Sequence, residues 1–109
     1  MRQRRKRWIG LTAQPCGKLN LDAGAQQAIE KGGRSLLAIG IKAVDGNFQK
    51  GDVISLSRDN GQEFARGLTN YASDELRRIA GRATDEIVKI LGHCPYDEVV
   101  HRDNLVILS

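Results

Sequence analysis

The stretch LNLDAGAQQAIEKGGRSLLAIGI, from Leu19 to Ile41, decides how the rest of this 109-residue chain is read. Leu19 and Leu21 alternate with Lys18, Asn20 and Asp22, the two-residue period of a half-buried strand. Asp22 is a good N-cap for a helix that follows it. From Ala25, apolar positions recur at Ala28 and Ile29, on one stripe of small side chains that lets the helix lie close against what it covers. Gly32 is expected to end the helix in a left-handed conformation. Ser35-Leu36-Leu37-Ala38-Ile39-Gly40-Ile41 is apolar at nearly every position, which predicts a strand covered on both faces.

Outward from this stretch, the pattern is of short strands and short helices. Asp45-Gly46-Asn47 and Lys50-Gly51-Asp52 are turn-forming clusters, and Phe48 between them is expected to plug the loop into the core. Val53 to Tyr71 is expected to form a hairpin about a two-residue type I′ turn at Asn60-Gly61. That turn would place Arg58 opposite Glu63, Leu56 opposite Ala65 and Ile54 opposite Gly67, one face apolar and closed by an Arg58–Glu63 ion pair. Ser73 and Thr84 read as N-caps of two more helices, each followed by acids in its first turn. Leu76, Ile79 and Ala80 make the first stripe, stopped by Gly81. Ile87, Ile90 and Leu91 make the second, stopped by Gly92. After Pro95, Glu98-Val99-Val100 and Asn104 to Leu108 are strand-like, either pairing or continuing through a bend. Five to six short strands with about three short helices give a mainly β class, a small barrel or pseudo-barrel.

Composition narrows the function classes. The length suits one domain with one core, and 40% hydrophobic with 28% charged residues is ordinary for a globular chain. No apolar run approaches a membrane span, and no apolar stretch follows the basic N-terminus as a secretory signal requires. Cys16 and Cys94, widely separated, read as free thiols in a reducing cytoplasm. The net charge of +4 is concentrated in Arg2, Arg4, Arg5, Lys6 and Arg7. Removing those five leaves 12 of the 17 basic residues against 13 acidic ones, a body of net −1. Residues 1–16 therefore read as a basic linker or arm, and 17–109 as the domain. Trp8 beside the cations can stack on a base, or, more simply, anchor the arm on protein surface.

Candidate chemistry is sparse. His101-Arg102-Asp103 matches the catalytic-loop tripeptide of protein kinases, but the downstream Asn, the glycine-rich loop and the DFG of that machinery are missing. A turn before the last strand is the simpler expectation. Cys16, His93, Cys94 and His101 lack metal-ligand spacing. Lys31-Gly32-Gly33-Arg34-Ser35 can be an anion concavity of exposed amides and two cations, or an ordinary helix stop. No nucleophile has a base placed beside it by spacing.

Leu21-Asp22-Ala23-Gly24-Ala25 with Ala28-Ile29, the glycine loop, and Leu36-Leu37 to Gly40-Ile41 resemble the opening of a PUA domain, a small RNA-associated pseudo-barrel. Further residues are similar to one group of these, the C-terminal PUA domains of bacterial glutamate 5-kinases. They are Arg5-Lys6-Arg7-Trp8-Ile9, Gly46-Asn47-Phe48, Gly51-Asp52-Val53, Ala65-Arg66-Gly67, Tyr71, Leu76 to Gly81, Ile90-Leu91-Gly92 and His101 to Asn104. Ala38 departs from the proline common there. The resemblance implies an accessory domain of an enzyme that phosphorylates the γ-carboxylate of L-glutamate in the first step of proline biosynthesis. It implies Mg and ATP held in an N-terminal amino-acid-kinase domain, the partner of this domain, with no catalytic, cofactor or metal residue in these 109. Alternatively, the chain is an RNA-binding module, free-standing or attached to an RNA-modifying enzyme. In that case the family pattern points to Lys31, Gly32, Gly33, Arg34 and Arg102 as the contact, although a body of net −1 offers little for phosphates.

Overall fold

The computed structural model describes residues 14–108. The basic arm, Arg2 to Arg7 with Trp8, lies outside the described residues. The elements are strand β1 (Gly17–Leu21), helix α1 (Ala23–Glu30), a 3-10 turn (Ala38–Gly40), β2 (Ile41–Gly46), β3 (Val53–Ser57) and β4 (Glu63–Leu68). They continue with α2 (Ser73–Ile79), α3 (Thr84–Leu91), a second 3-10 turn (Arg102–Asn104) and β5 (Leu105–Ile107).

One sheet carries the core, in the order β2-β1-β3-β4-β5. β1 pairs antiparallel with β2 and parallel with β3, with Leu19 opposite Leu56; β4 pairs antiparallel with both β3 and β5. The alternation read in β1 holds, since Leu19 and Leu21 are wholly buried beside Ile54, Leu56, Ala65 and Phe64. Leu76, Ile79 and Ile87 bring α2 and α3 onto the same core. Burying such side chains contributes roughly 1.5–3 kcal/mol each, so this layer holds the sheet. Phe48 plugs its loop as expected, and Asp22 caps α1 by accepting from the Ala25 N–H at 2.7 Å.

Several expectations are corrected. Ser35 to Ile41 is not a strand covered on both faces. Among the described residues, the only sheet-type contact of Ser35 to Gly40 is an isolated bridge from Leu36 to Val100; Ala38–Gly40 winds into the 3-10 turn, and Ile41 opens β2 opposite Leu21. Leu36, Ala38 and Gly40 are buried while Leu37 and Ile39 face solvent, so apolar letters on every residue did not mean two covered faces. The left-handed residue after α1 is Gly33 (φ +63°), not Gly32. Ala28, assigned to the buried stripe of α1, is exposed. The helix caps shift by one: Ala72 and Ala83 occupy the N-cap positions, and their N–H groups donate to the carboxylates of Glu75 (3.0 Å) and Glu86 (3.1 Å). Ser73 instead accepts from the Phe48 N–H at 3.1 Å and so fastens the Phe48 plug. Glu98 to Val100 contributes only the bridge to Leu36, and the chain then turns through Arg102–Asn104 before pairing on β4.

The hairpin keeps its deep register, Leu56 opposite Ala65 and Ile54 opposite Gly67, but its turn differs. Arg58 and Gln62 close a three-residue loop, with the Gly61 N–H on the Arg58 carbonyl at 2.8 Å. Only Gly61 there has positive φ (+90°), which fits a type I turn followed by a left-handed glycine rather than type I′. The longer loop moves the pairing by one residue, and an irregularity after Leu56 restores it, leaving Ser57 opposite Glu63. Arg58 therefore does not meet Glu63. It reaches α1, where its guanidinium binds Glu30 at 2.9 Å, while Glu63 pairs with Arg66 at 2.8 Å. The Arg66 hydrogen bonds hold the Glu63 carboxyl below its usual value.

Because φ at Gly61 suits only glycine among common residues, Gly61→Val should lower stability by about 1–3 kcal/mol. A shift of the urea midpoint to lower concentration at unchanged slope is the expected result.

Candidate anion-binding groove

The groove is built by two segments far apart in sequence. Where α1 ends, its last turn delivers Lys31 and Arg34. Where the chain leaves Val100, it delivers His101 and Arg102. Leu36 joins them: its N–H donates to Val100 at 2.9 Å, and its carbonyl accepts from Val99 at 2.7 Å. Beside this clasp the Arg102 N–H donates to the Ser35 hydroxyl at 2.8 Å.

The result is a groove of about 840 Å³ that brings together Lys31, Gly32, Arg34 and Arg102, with Ser35 and His101 between them. Gly33 lines a second, smaller cleft beyond Arg34 and Arg102. Four of the five residues singled out by sequence thus share one surface, and the fifth adjoins it. Ser35, the last residue of the candidate anion concavity, also lines the groove, whereas His101 and the exposed Leu37 were not foreseen as lining. Their adjacency to Arg34 and Arg102 was the only available signal.

The glycine loop does not offer its amides. The N–H groups of Lys31, Gly32, Gly33 and Arg34 all turn back onto carbonyls of Gln27, Ala28 and Ile29, at 2.9–3.2 Å. The loop sits at the negative end of the α1 dipole, so it is a helix stop and not an amide cradle. Charge in the groove comes from side chains. Lys31, Arg34 and Arg102 are exposed, and among the described residues none of them forms an ion pair. Other cations are committed elsewhere, as Arg77 is to Asp74 and Lys42 to Asp59. Glu98 is the acid on the groove's own lining.

His101-Arg102-Asp103 is a turn, with the Asp103 N–H donating to His101 Nδ1 at 3.1 Å. No group of three or more His, Cys, Asp or Glu among the described residues is placed to hold a metal. Cys94 points its thiol at the Tyr96 carbonyl, 3.4 Å away.

The far wall is held by Asn70 and Tyr71. The Asn70 side chain donates to the Glu98 carbonyl at 3.0 Å, and the buried Tyr71 hydroxyl donates to the Tyr96 carbonyl. Burial pushes the Tyr71 phenol from near 10 up to about 12, with the nearby Cys94 thiol adding to it and the Tyr96 contact opposing. A phenol whose pKa rises on folding contributes stability that is complete below about pH 10 and disappears as the pH climbs through about 12. The denaturant midpoint should therefore fall between pH 10 and 12. In Tyr71→Phe, less stable at neutral pH, that part of the fall should be absent.

A family model described as "PUA domain" matches residues 17–91. Glutamate 5-kinase of Rhodopirellula baltica is 56% identical over 103 residues, covering 94% of this chain and 26% of that protein. Those of Synechococcus elongatus and Dictyoglomus thermophilum are 55% and 48% identical and cover 94% and 97% of the chain. The chain spans 26% to 29% of the length of these curated relatives. Among solved structures, a PUA domain from Aeropyrum pernix K1, in a tartrate complex, aligns with a TM-score of 0.58 at 22% identity, covering 79% of this chain and 41% of that one. A chain of the archaeal box H/ACA sRNP Nop10-Cbf5 complex aligns at 0.54 and 14%, covering 86% and 24%. At such identities these two likenesses concern the fold.

Proposed function

The chain belongs to the PUA domain family, and on that premise we propose that it is the accessory domain of a glutamate 5-kinase. The observation that carries this is the run of identity near half or above over 94–97% of the chain, with kinases of three organisms. In this assignment the glutamate, ATP and magnesium sites belong to an amino-acid-kinase domain, which is also the partner of this one, and the enzyme works in the cytoplasm. The 109 residues act on that domain without reacting themselves. Two features support a non-catalytic role: the glycine-loop amides are spent on α1, and HRD forms a turn. A second role, RNA binding, is favoured by one feature, the three cations around the groove that form no ion pair among the described residues.

The test is a chimera. Incubated with ATP, magnesium and glutamate, the 109-residue chain should form no acyl phosphate trapped as hydroxamate. Placed in the Rhodopirellula baltica enzyme in exchange for the segment it matches, it should give activity within a few-fold of that enzyme. Turnover by the chain alone, or a chimera that behaves as the kinase lacking this segment, would contradict the assignment.

A further inference from the structure

Among the described residues, β5 is an edge strand with no neighbour on its outer side. The Leu108 N–H donates to the Phe64 carbonyl at 2.9 Å, and Ile107 stands opposite Ala65. In an antiparallel ladder this makes Val106 and Leu108 the hydrogen-bonded positions, so the N–H and C=O of Ile107 point away from β4. Nothing follows β5 in the sheet order, and among the described residues these groups have no partner. At the opposite edge, the Arg77 guanidinium donates to the Gly46 carbonyl at the end of β2. Edge strands are normally protected by charges, bulges or covering side chains, and Leu105-Val106-Ile107 carries no charge. Ile107, at 39% exposure, adds an apolar contact.

Alongside this edge runs a cleft of about 320 Å³, bounded by Ile29, Gly33, Arg34, Arg102, Leu105 and Ile107. Its lining sets two arginines, Arg34 and Arg102, against one acid, Asp103, and among the described residues neither arginine forms an ion pair. We propose that the outer edge of β5 docks an extended, acidic segment of a partner protein, which adds as a further strand with carboxylates against Arg34 and Arg102. Such strand addition takes affinity from main-chain hydrogen bonds and selectivity from flanking side chains.

Charge decides among occupants. A second copy paired edge to edge would bring the same two arginines toward their counterparts. The chain's own arm, with Arg2, Arg4, Arg5, Lys6 and Arg7, is repelled for the same reason. RNA finds no aromatic ring among the residues lining this cleft on which a base could stack, and a phosphodiester backbone carries no regular row of donors for outward carbonyls. The inference is independent of which polypeptide carries the domain.

The test uses the 109-residue chain and a fluorescein-labelled eight-residue peptide of alternating glutamate and valine, at low salt. Binding is expected, and the combined Arg34→Glu and Arg102→Glu variant should weaken it by about tenfold or more. Ile107→Pro should weaken it comparably while preserving the melting temperature, because that N–H makes no bond within the sheet. The alternating lysine–valine peptide and an oligouridylate of equal charge should not compete. As a check that needs no variant, the Ile107 amide should exchange quickly in the free protein and slow on peptide addition. The proposal fails if the acidic peptide does not bind, or if the Ile107 amide is unaffected by it. It fails equally if the oligouridylate displaces it.

Discussion

Leu36 is the residue on which the rest of this structure depends. Its N–H and C=O bind Val100 and Val99, and this two-sided clasp closes the chain across more than half its length. A single bridge of this kind adds about 0.5–1.5 kcal/mol per hydrogen bond. Its larger consequence is geometric, because Lys31 and Arg34 on one side and Arg102 on the other become one surface. The wholly buried Leu36 and Val100 side chains seal the clasp against water, which keeps its bonds from being exchanged for solvent.

The core supplies the rigid support for that closure. The parallel β1–β3 pair sits in the middle of the sheet, and Phe48, fastened by Ser73, fills the space beside it. Asn70 and Tyr71 follow β4 and hold the irregular segment from Cys94 to Val100 through their side chains and one backbone bond, from the Asn70 N–H to Val99, instead of a ladder. Loops so anchored keep a surface in place without secondary structure of their own, which is how binding surfaces are commonly carried. The conversion of a helix stop into a rim of side-chain cations follows from the same economy: the amides serve α1, and only the long side chains remain free to face a ligand.

Much of this was legible in the residues. β1, the capping by Asp22, the Phe48 plug and the deep hairpin register all follow from local pattern. Ser35 to Ile41 was misread because periodicity reports burial but not the hydrogen-bond partner. Leu36 bonds to residues more than sixty positions away, and Gly40 is followed by the strand instead of lying within one. The hairpin turn was misread because Asn-Gly satisfies two turn types, and the choice between them rests on φ at Asn60. Ser73 and Thr84 looked like caps because the preceding alanines carry no signal, while the Glu three positions into each helix did the capping. The cluster of Lys31, Gly32, Gly33, Arg34 and Arg102 was foreseen through family resemblance. Nothing in their spacing places Arg102 beside Arg34, since that adjacency is made by the clasp.

The clasp can be tested directly by native-state amide exchange. If it is integral to the fold, the Leu36 and Val99 amides should open only with global unfolding, at the same free energy as amides in the β1–β3 ladder. Exchange of Leu36 and Val99 at a markedly lower free energy, with the ladder amides still fully protected, would contradict the account: the groove would then be an adjustable surface on a smaller core.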